Sequence, residues 1–267
     1  MVEGLKERLG RIPLILTLAL TGAVIYLPIL FVVIFSFNSG RFQVFPLKGF
    51  SLVWYQKMLS DTAFMDALRN SVIVSLGVGV VSTIFGFLGA YSLVKAEFRF
   101  KDLLSTLLIT PLAVPGVLLA ISLRVYFYSL GWSFSLLTVF LGQLITNVPL
   151  ALMVIRARLL QIPLSLEEAA WDLGAGRLRS LAEVILPMTI PSMIVSMLLT
   201  FTFSFDEFII AYFLTQFELT LPIKIWANLI TGYDPTVNAI GTIVFFLSLV
   251  IVFFGQRFIL GKPYQKG

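Results

Sequence analysis

Two adjacent carboxylates, Asp206 and Glu207, follow a long uncharged stretch of apolar residues that begins after Glu183. A charge at bilayer depth costs about 2.5–3.5 kcal/mol on insertion scales, so such residues usually face a protein interior or a wet cavity. Carboxylates and aromatic rings both attract organic cations. Because Phe203 and Phe205 stand beside the two carboxylates, this stretch is predicted to line a path for a cationic solute.

The two carboxylates cannot both face such a path. Successive residues of a helix are turned by about 100°, and Asp206 is the stronger candidate of the pair. Alternatively, these carboxylates contact a partner chain or pair with Arg124, which ends another uncharged run. Arg124 either extends its charge toward the outer membrane surface or forms a charge-neutral gate with Asp206.

The sequence contains neither cysteine nor histidine. Thiol nucleophiles, Cys/His zinc sites and Ser-His-Asp triads are therefore excluded. No G-x-x-x-x-G-K-[ST] loop is present, so the chain has no Walker-type phosphate site. We expect a non-catalytic protein without a metal or a cofactor of its own.

The composition indicates a membrane protein. Hydrophobic residues make up 58% of the 267 residues and charged residues only 12%, whereas soluble proteins contain about 25% charged residues. The mean hydropathy is +0.98. A net charge of +5 could suggest nucleic acid, but in so apolar a chain the placement of the charges points to membrane orientation and no nucleic acid is expected.

Uncharged stretches long enough to cross a bilayer recur along the chain. About 20 apolar residues are needed for one helical span. The first stretch is too long for the apolar part of a signal peptide and is interpreted as a retained span. The sequence predicts an all-α integral membrane fold, a single transmembrane domain over residues 1–267, with six transmembrane helices at 12–37, 70–94, 103–130, 134–156, 184–214 and 236–257.

Basic residues concentrate on one side of these predicted spans. With the N-terminus inside, most Lys and Arg residues fall in inside segments: Lys6, Arg8, Arg11, Lys95, Arg99, Lys101, Arg156, Arg158, Arg177, Arg179, Arg257, Lys262 and Lys266. The outside segments contain Arg41, Lys48, Lys57, Arg69 and Lys224. The asymmetry predicts that both termini are cytoplasmic. The loop 38–69 is then outside and is predicted to contain a surface helix from Leu52 to Leu68.

The long charged connection at 157–187 lies between two predicted spans on the cytoplasmic side. A short helix with one apolar face is predicted from Leu164, Leu166, Ala169, Ala170 and Leu173, and Gly174 is predicted to end it. A second helix is expected to begin near Gly176. Below the membrane the bundle cannot bury the apolar face, so this helix–glycine–helix element is predicted either to dock on a partner protein or to remain a solvated loop.

The same segment resembles a known family signature. Glu168, Ala169 and Ala170 are followed at fixed spacing by Gly174, Val184, Leu186 and Pro187, a pattern similar to the EAA motif of ATP-binding-cassette (ABC) importer permeases; the family has Ile at the position of Val184. The resemblance extends over most of the chain, including Trp54-Tyr55, Asn70-Ser71, Phe201–Thr215 and Leu221–Trp226. It is closest to the spermidine/putrescine branch, in particular its second permease subunit.

This resemblance implies a type I (MetI-like) permease bundle in the bacterial inner membrane. The EAA segment, with Glu168, Ala169, Ala170, Gly174, Leu186 and Pro187, would couple the bundle to a cytoplasmic ATPase dimer, which would bind ATP and Mg²⁺. A sister permease would complete the path, and an extracytoplasmic binding protein would deliver polyamine. Lipid would surround the assembly.

Other functions also fit parts of the sequence. The same architecture could carry ferric iron, an opine, thiamine or a sugar oligomer. A self-sufficient secondary transporter is disfavoured because the spans show no evident internal repeat and the EAA-type loop would have no role. An intramembrane protease is disfavoured because no second intramembrane aspartate accompanies Asp206.

Overall fold

The computed structural model describes the backbone of residues 2–232 and 234–260, and the side chains of residues 13–232, 234–250 and 253. Within this part the regular secondary structure is helical, and there is no strand apart from an isolated antiparallel bridge between Asn38 and Phe50. The all-α prediction is confirmed. The α-helices are α1 Val2–Ser36, α2 Val53–Ser60, α3 Thr62–Lys95, α4 Lys101–Ile109, α5 Gly116–Ser129, α6 Leu136–Leu159, α7 Ser165–Asp172, α8 Arg177–Ser180, α9 Leu186–Phe205, α10 Ile209–Leu214, α11 Leu221–Thr231 and α12 Thr236–Leu260.

Four stretches in this part are long and apolar enough to cross a membrane: Pro13–Ser36, Thr62–Lys95, Leu136–Leu159 and Arg177–Phe205. They correspond to predicted spans 12–37, 70–94, 134–156 and most of 184–214. The predicted span 236–257 falls in α12, whose described apolar part is Thr236–Val250. Several basic residues behind the orientation prediction lie outside the described side chains, namely Lys6, Arg8, Arg11, Arg257, Lys262 and Lys266.

The predicted span 103–130 is not one straight helix. The segments Lys101–Ala113 and Gly116–Ser129 are inclined by 101° to each other, so they form either a broken span or a re-entrant loop. Pro111 and Pro115 have no N–H to donate to a preceding turn. Val114 between them is extended, with ψ 128°, and the chain resumes a helical path only after Pro115.

The expected surface helix from Leu52 to Leu68 is wrong in its extent. Helix α2 ends at Ser60, and Asp61 is extended with ψ 101°. The residues from Thr62 onward already belong to α3, which is therefore longer than the predicted 70–94. Within α2, Trp54 and Tyr55 are half-buried and Met58 is buried, as expected for one face of a helix, but such periodicity does not show where one helix ends and the next begins.

The predicted span 184–214 also ends early. Helix α9 stops at Phe205, three residues intervene, and the short helix α10 follows. At its other end, a π-helical turn at Leu181–Ile185 joins α8 to α9. Pro187 lies in the first turn of α9 and has no N–H for the carbonyl four residues earlier, which accounts for a wider turn at this point.

The described residues form two compact units. The first contains residues 2–62, 228–232 and 234–247. Side-chain hydrogen bonds hold its loop to its helices: Trp54 Nε1 donates to the Asn38 carbonyl at 2.7 Å, and Gln43 Nε2 donates to Asn238 Oδ1 at 2.8 Å. A 2.8 Å ion pair joins Lys57 Nζ to Asp234. Burial alone would raise the pKa of Asp234, but the Lys57 and Thr236 bonds outweigh it and the pKa lies below its usual range.

The second unit contains residues 63–227 and 248–260 and holds both parts of the candidate site. Its helices approach closely where glycines face a neighbour: a Cβ at Gly86 would lie 2.6 Å from the Cβ of Ala151. Between α6 and α9, the buried Ser204 hydroxyl donates to Gln143 Oε1. Gln143 thus joins two helices, as polar groups in membrane spans commonly do, whereas the Asn147 side-chain amide donates to the Gln143 carbonyl within α6 at 2.8 Å.

Candidate functional site

The EAA-type segment folds as the two short helices that the sequence predicted. Helix α7, Ser165–Asp172, contains Glu168, Ala169 and Ala170, and α8 begins at Arg177. Glu168 and Ala169 are exposed, whereas Ala170 is half-buried. Leu173 and Leu178 are also exposed, at 90% and 82% of their surface. An acidic side chain therefore lies on a surface with uncovered apolar groups, which is typical of a protein-docking site.

Gly174 makes the turn between α7 and α8. Its N–H donates to the Trp171 carbonyl and the Ala175 N–H donates to the Ala170 carbonyl, both at 2.9 Å. This pair of bonds is the Schellman arrangement, which satisfies carbonyls at the end of a helix. It places Gly174 at φ +84°, a conformation that residues with a Cβ rarely adopt. The predicted helix stop is thus confirmed, with a physical reason for glycine.

The last two residues of the motif join this segment to the fifth predicted span. Leu186 is half-buried and Pro187 is exposed, and both lie in the first turn of α9. The adjacent Ile185 is fully buried in an apolar cluster with Leu93, Ile155 and Leu159. The second helix of the EAA-type segment and the membrane helix α9 are therefore parts of one continuous helical path from Arg177 to Phe205.

Sequence reasoning missed the residue next to the motif. Glu167, in the first turn of α7, is only 2% exposed. Its Oε1 lies 3.6 Å from Nζ of Lys95, the last residue of α3. Because helix neighbours differ by about 100°, Glu167 faces inward when Glu168 faces outward. That geometric relation was available from the sequence.

The second part of the site lies at the break between α9 and α10. Asp206 follows the last residue of α9, and its carboxylate is exposed and makes no hydrogen bond or ion pair with the described residues. Glu207 has a different role. Its carboxylate accepts the backbone N–H groups of Ile209, Ile210 and Ala211 at 3.1, 2.7 and 3.2 Å. Glu207 therefore caps the N-terminus of α10.

The two phenylalanines that were predicted to line the path with these carboxylates also differ in their exposure. Phe203 is 60% exposed, whereas Phe205 is 8% exposed and stacks on Phe201 at 5.9 Å between ring centroids. Phe208 contacts Trp226 with ring centroids 5.6 Å apart. Asp206 and Phe203 are thus the accessible members of the predicted set, whereas Glu207 is half-buried and Phe205 is buried.

Arg124 joins α5 to α10. Its guanidinium donates to the Phe213 carbonyl and lies 4.3 Å from the ring centroid of Phe134. The ion pairs of the described part do not include one between Arg124 and Asp206, so the charge-neutral gate is not formed in this structure. Carbonyl and cation–π contacts instead accommodate this charge.

The described residues contain no group of three or more Asp or Glu side chains placed to hold a metal ion. The two parts of the site are one accessible carboxylate, close in sequence to the exposed Phe203, and one acidic, apolar surface connected to a membrane helix. With the fold they define an integral membrane transport component in which the helical path of α9 continues into an exposed segment.

Comparison with known proteins agrees with this class. Residues 82–261 match the family model described as "Binding-protein-dependent transport system inner membrane component". The chain belongs to this family, and the prediction of a permease subunit of an ABC importer in the inner membrane is confirmed. Membership also assigns the chain to a membrane component rather than to the ATP-hydrolysing subunit.

Individual proteins with a similar sequence or fold can also be named. The chain is 32% identical to the spermidine/putrescine transport system permease protein PotC of Escherichia coli (strain K12) over 247 residues, 92% of each chain. It is 33% identical to the putrescine transport system permease protein PotI of the same strain over 228 residues, 82% of this chain and 81% of PotI. A bacterial ABC transporter that imports alginate has the same fold, with a TM-score of 0.71 at 20% identity over 97% of this chain and 98% of that one.

Proposed function

We propose that this chain forms half of the translocation path of a polyamine importer. The observation that carries the proposal is its 32% identity over 92% of its length to a spermidine/putrescine permease, with 33% identity to a putrescine permease. The site chemistry supports it: Asp206 presents an accessible carboxylate, and Phe203 an accessible aromatic face. Spermidine and putrescine are flexible cations, which such groups attract.

In this proposal residues 1–267 form one transmembrane domain, and the segment 157–187 is its cytoplasmic coupling loop. Glu168 meets a basic group of an ABC ATPase, and the small side chains of Ala169 and Ala170 allow close contact. Gly174 permits the turn, while Leu186 and Pro187 join the loop to α9. The exposed Leu173 and Leu178 support a docking role because a partner would cover them.

The partners follow from the same proposal. Two copies of the ATPase bind ATP and Mg²⁺, so this chain needs no cofactor. A sister permease supplies the other half of the path, and an extracytoplasmic binding protein supplies the solute. ATP-driven closure of the ATPase moves the coupling loop as a rigid element, and the helices change between inward- and outward-facing arrangements.

The proposal is tested by spermidine uptake. Proteoliposomes contain this chain with its sister permease and ATPase, and receive the binding protein loaded with radiolabelled spermidine. We expect ATP-dependent uptake that unlabelled putrescine reduces and thiamine does not. Uptake of thiamine or a sugar oligomer, with no uptake of either polyamine, would contradict the polyamine assignment.

The variant Asp206→Asn tests whether Asp206 lines the cation path. Loss of one carboxylate from a cation path should lower uptake at low spermidine concentration by about tenfold, equivalent to about 1.4 kcal/mol. Asp66→Asn is the matched control, because Asp66 is also an exposed aspartate of the same compact unit. Equal uptake by the two variants would exclude Asp206 from the path.

A further inference from the structure

An ion pair buried beside the motif connects α7 to α3. Nζ of Lys95 and Oε1 of Glu167 are 3.6 Å apart, and the two side chains are only 8% and 3% exposed. Two other ion pairs are far more accessible: the side chains of Lys57 and Asp234 are 55% and 30% exposed, and those of Arg179 and Glu183 are 68% and 61% exposed. Exposed ion pairs contribute little to the stability of the folded state. Buried charges attract each other strongly, and removal of one partner destabilises the fold because the other charge is left buried and unpaired.

This pair spans a gap between the two helices. A cavity of 460 Å³ lies there, lined by residues that include Tyr91, Ala96, Leu164 and Trp171. A separation of 3.6 Å is too long for a hydrogen bond, and no donor among the described residues bonds to Glu167 Oε1. The attraction between the charges therefore holds the two helices where side-chain packing is incomplete.

The remaining contacts of α7 lead to other elements. The chain reaches α7 from α6 through a short turn, in which the Ile162 N–H donates to the Leu159 carbonyl at 3.1 Å. Helix α7 also packs on α8 and on the π-helical turn Leu181–Ile185. No other ion pair joins α3 to α7 within the part of the chain that the structure describes.

The two faces of α7 thus have opposite surroundings. Glu168 and Ala169 lie on the exposed face, and Glu167 lies on the face toward α3. A displacement applied to the exposed face reaches α9 through the continuous chain, but it reaches α3 through Glu167 and Lys95.

We infer that Lys95 and Glu167 are positioning residues whose buried ion pair makes α7 and the Lys95 end of α3 move as one body, so that motion of the docking segment is transmitted to α3 as well as to α9. The inference rests on the proposed function, because it requires that α7 receives the motion of an ATPase. The pair contacts neither solute nor nucleotide and acts only through the helices that it joins.

The test measures the coupling ratio, defined as spermidine molecules imported per ATP hydrolysed, in proteoliposomes containing the whole importer. Lys95→Met and Glu167→Gln should each lower this ratio about fivefold or more, the lower end of usual coupling effects, while ATP hydrolysis continues. The exchange Lys95→Glu/Glu167→Lys should restore it. Glu183→Gln, which removes an exposed partner from the same segment, should leave the ratio unchanged.

If the Lys95–Glu167 ion pair only stabilises the fold, the same variants give a different result. Less complex would then be recovered, but the remaining complex would import spermidine at the wild-type ratio, and this outcome would overturn the inference. If Lys95→Met does not assemble, the nearly isosteric Glu167→Gln decides between the two outcomes.

A second measurement does not depend on the solute. Ala96 and Leu164 line the cavity, are exposed, and can be replaced by cysteine in a chain that has no other cysteine. A bismaleimide cross-linker should join positions 96 and 164 at the same rate with and without ATP and vanadate. In the Glu167→Gln background the nucleotide should change that rate by at least about threefold. Equal nucleotide dependence in the two backgrounds would overturn the inference even if the importer carries another solute, whereas absence of spermidine uptake by the wild type would contradict only the proposed substrate.

Discussion

Replacement of Glu207 by alanine should destabilise this protein through helix α10. The carboxylate accepts three backbone N–H groups that have no partner within the first turn of that helix. Two of the donor residues, Ile210 and Ala211, are 2% and 0% exposed, so water cannot readily replace the carboxylate. An unsatisfied buried donor costs about 1–3 kcal/mol, and three bonds to one group are not additive. We expect a loss of about 2–4 kcal/mol.

Helix α10 is central enough for this loss to be measurable. Ile210, Ala211 and Leu214 belong to the apolar cluster of the second compact unit. The Thr138 hydroxyl also donates to the Leu214 carbonyl at 2.7 Å. In chains of comparable size, 1 kcal/mol shifts the melting temperature by about 2–4 °C. The apparent melting temperature of the detergent-solubilised protein should therefore fall by about 4–16 °C, as measured by tryptophan fluorescence.

Two further variants make this prediction specific. Glu207→Gln keeps the shape and one carbonyl acceptor but loses the charge, so it should cost about 1 kcal/mol. Asp206→Ala removes the neighbouring carboxylate, which makes no hydrogen bond or ion pair with the described residues, and should shift the melting temperature by less than about 1 °C. A Glu207→Ala protein that melts with the wild type would refute the capping role.

Two glycines give further predictions. Gly86→Ala places a Cβ 2.6 Å from the Ala151 Cβ and 2.8 Å from the Leu152 nitrogen. This overpacking should cost about 1–3 kcal/mol of stability and lower the melting temperature. Gly22→Ala is the control and should leave the melting temperature unchanged, because its Cβ meets nothing within 4 Å. Gly174→Ala forces alanine to φ +84° at a cost of about 1–2 kcal/mol, and should speed amide hydrogen exchange at residues 170–175. Gly176→Ala is its control, since Gly176 has φ −70°; equal exchange in both variants would argue against strain at Gly174.

The EAA-type segment was predictable because its structure is local. A short helix, a glycine that ends it, and a second helix require only nearest neighbours along the chain, and the turn at Gly174 agrees with the prediction. The break at Pro111 and Pro115 is local in the same sense, because a proline has no N–H to donate. The 101° angle at that break was not, because an angle depends on which surfaces the two halves pack against.

The roles of the carboxylates depend on where helices end and face. Asp206 and Glu207 looked alike in the sequence, and hydropathy alone extended the helix past both of them. Once α9 ends at Phe205, the Glu207 carboxylate accepts the first N–H groups of α10, whereas Asp206 makes no bond to them. Lys95 and Glu167 are 72 positions apart in the numbering, so only the fold shows that they meet.

The central claim is that the segment around Glu168 couples ATP hydrolysis to transport. Its most direct test is spermidine uptake and ATP hydrolysis measured together in proteoliposomes of the Glu168→Lys importer, with Glu183→Lys as the matched charge reversal in the same segment. The account predicts that Glu168→Lys remains in the membrane but loses at least about nine-tenths of its ATP-driven uptake, while Glu183→Lys retains most of it. Full uptake by Glu168→Lys would contradict the coupling role of this segment.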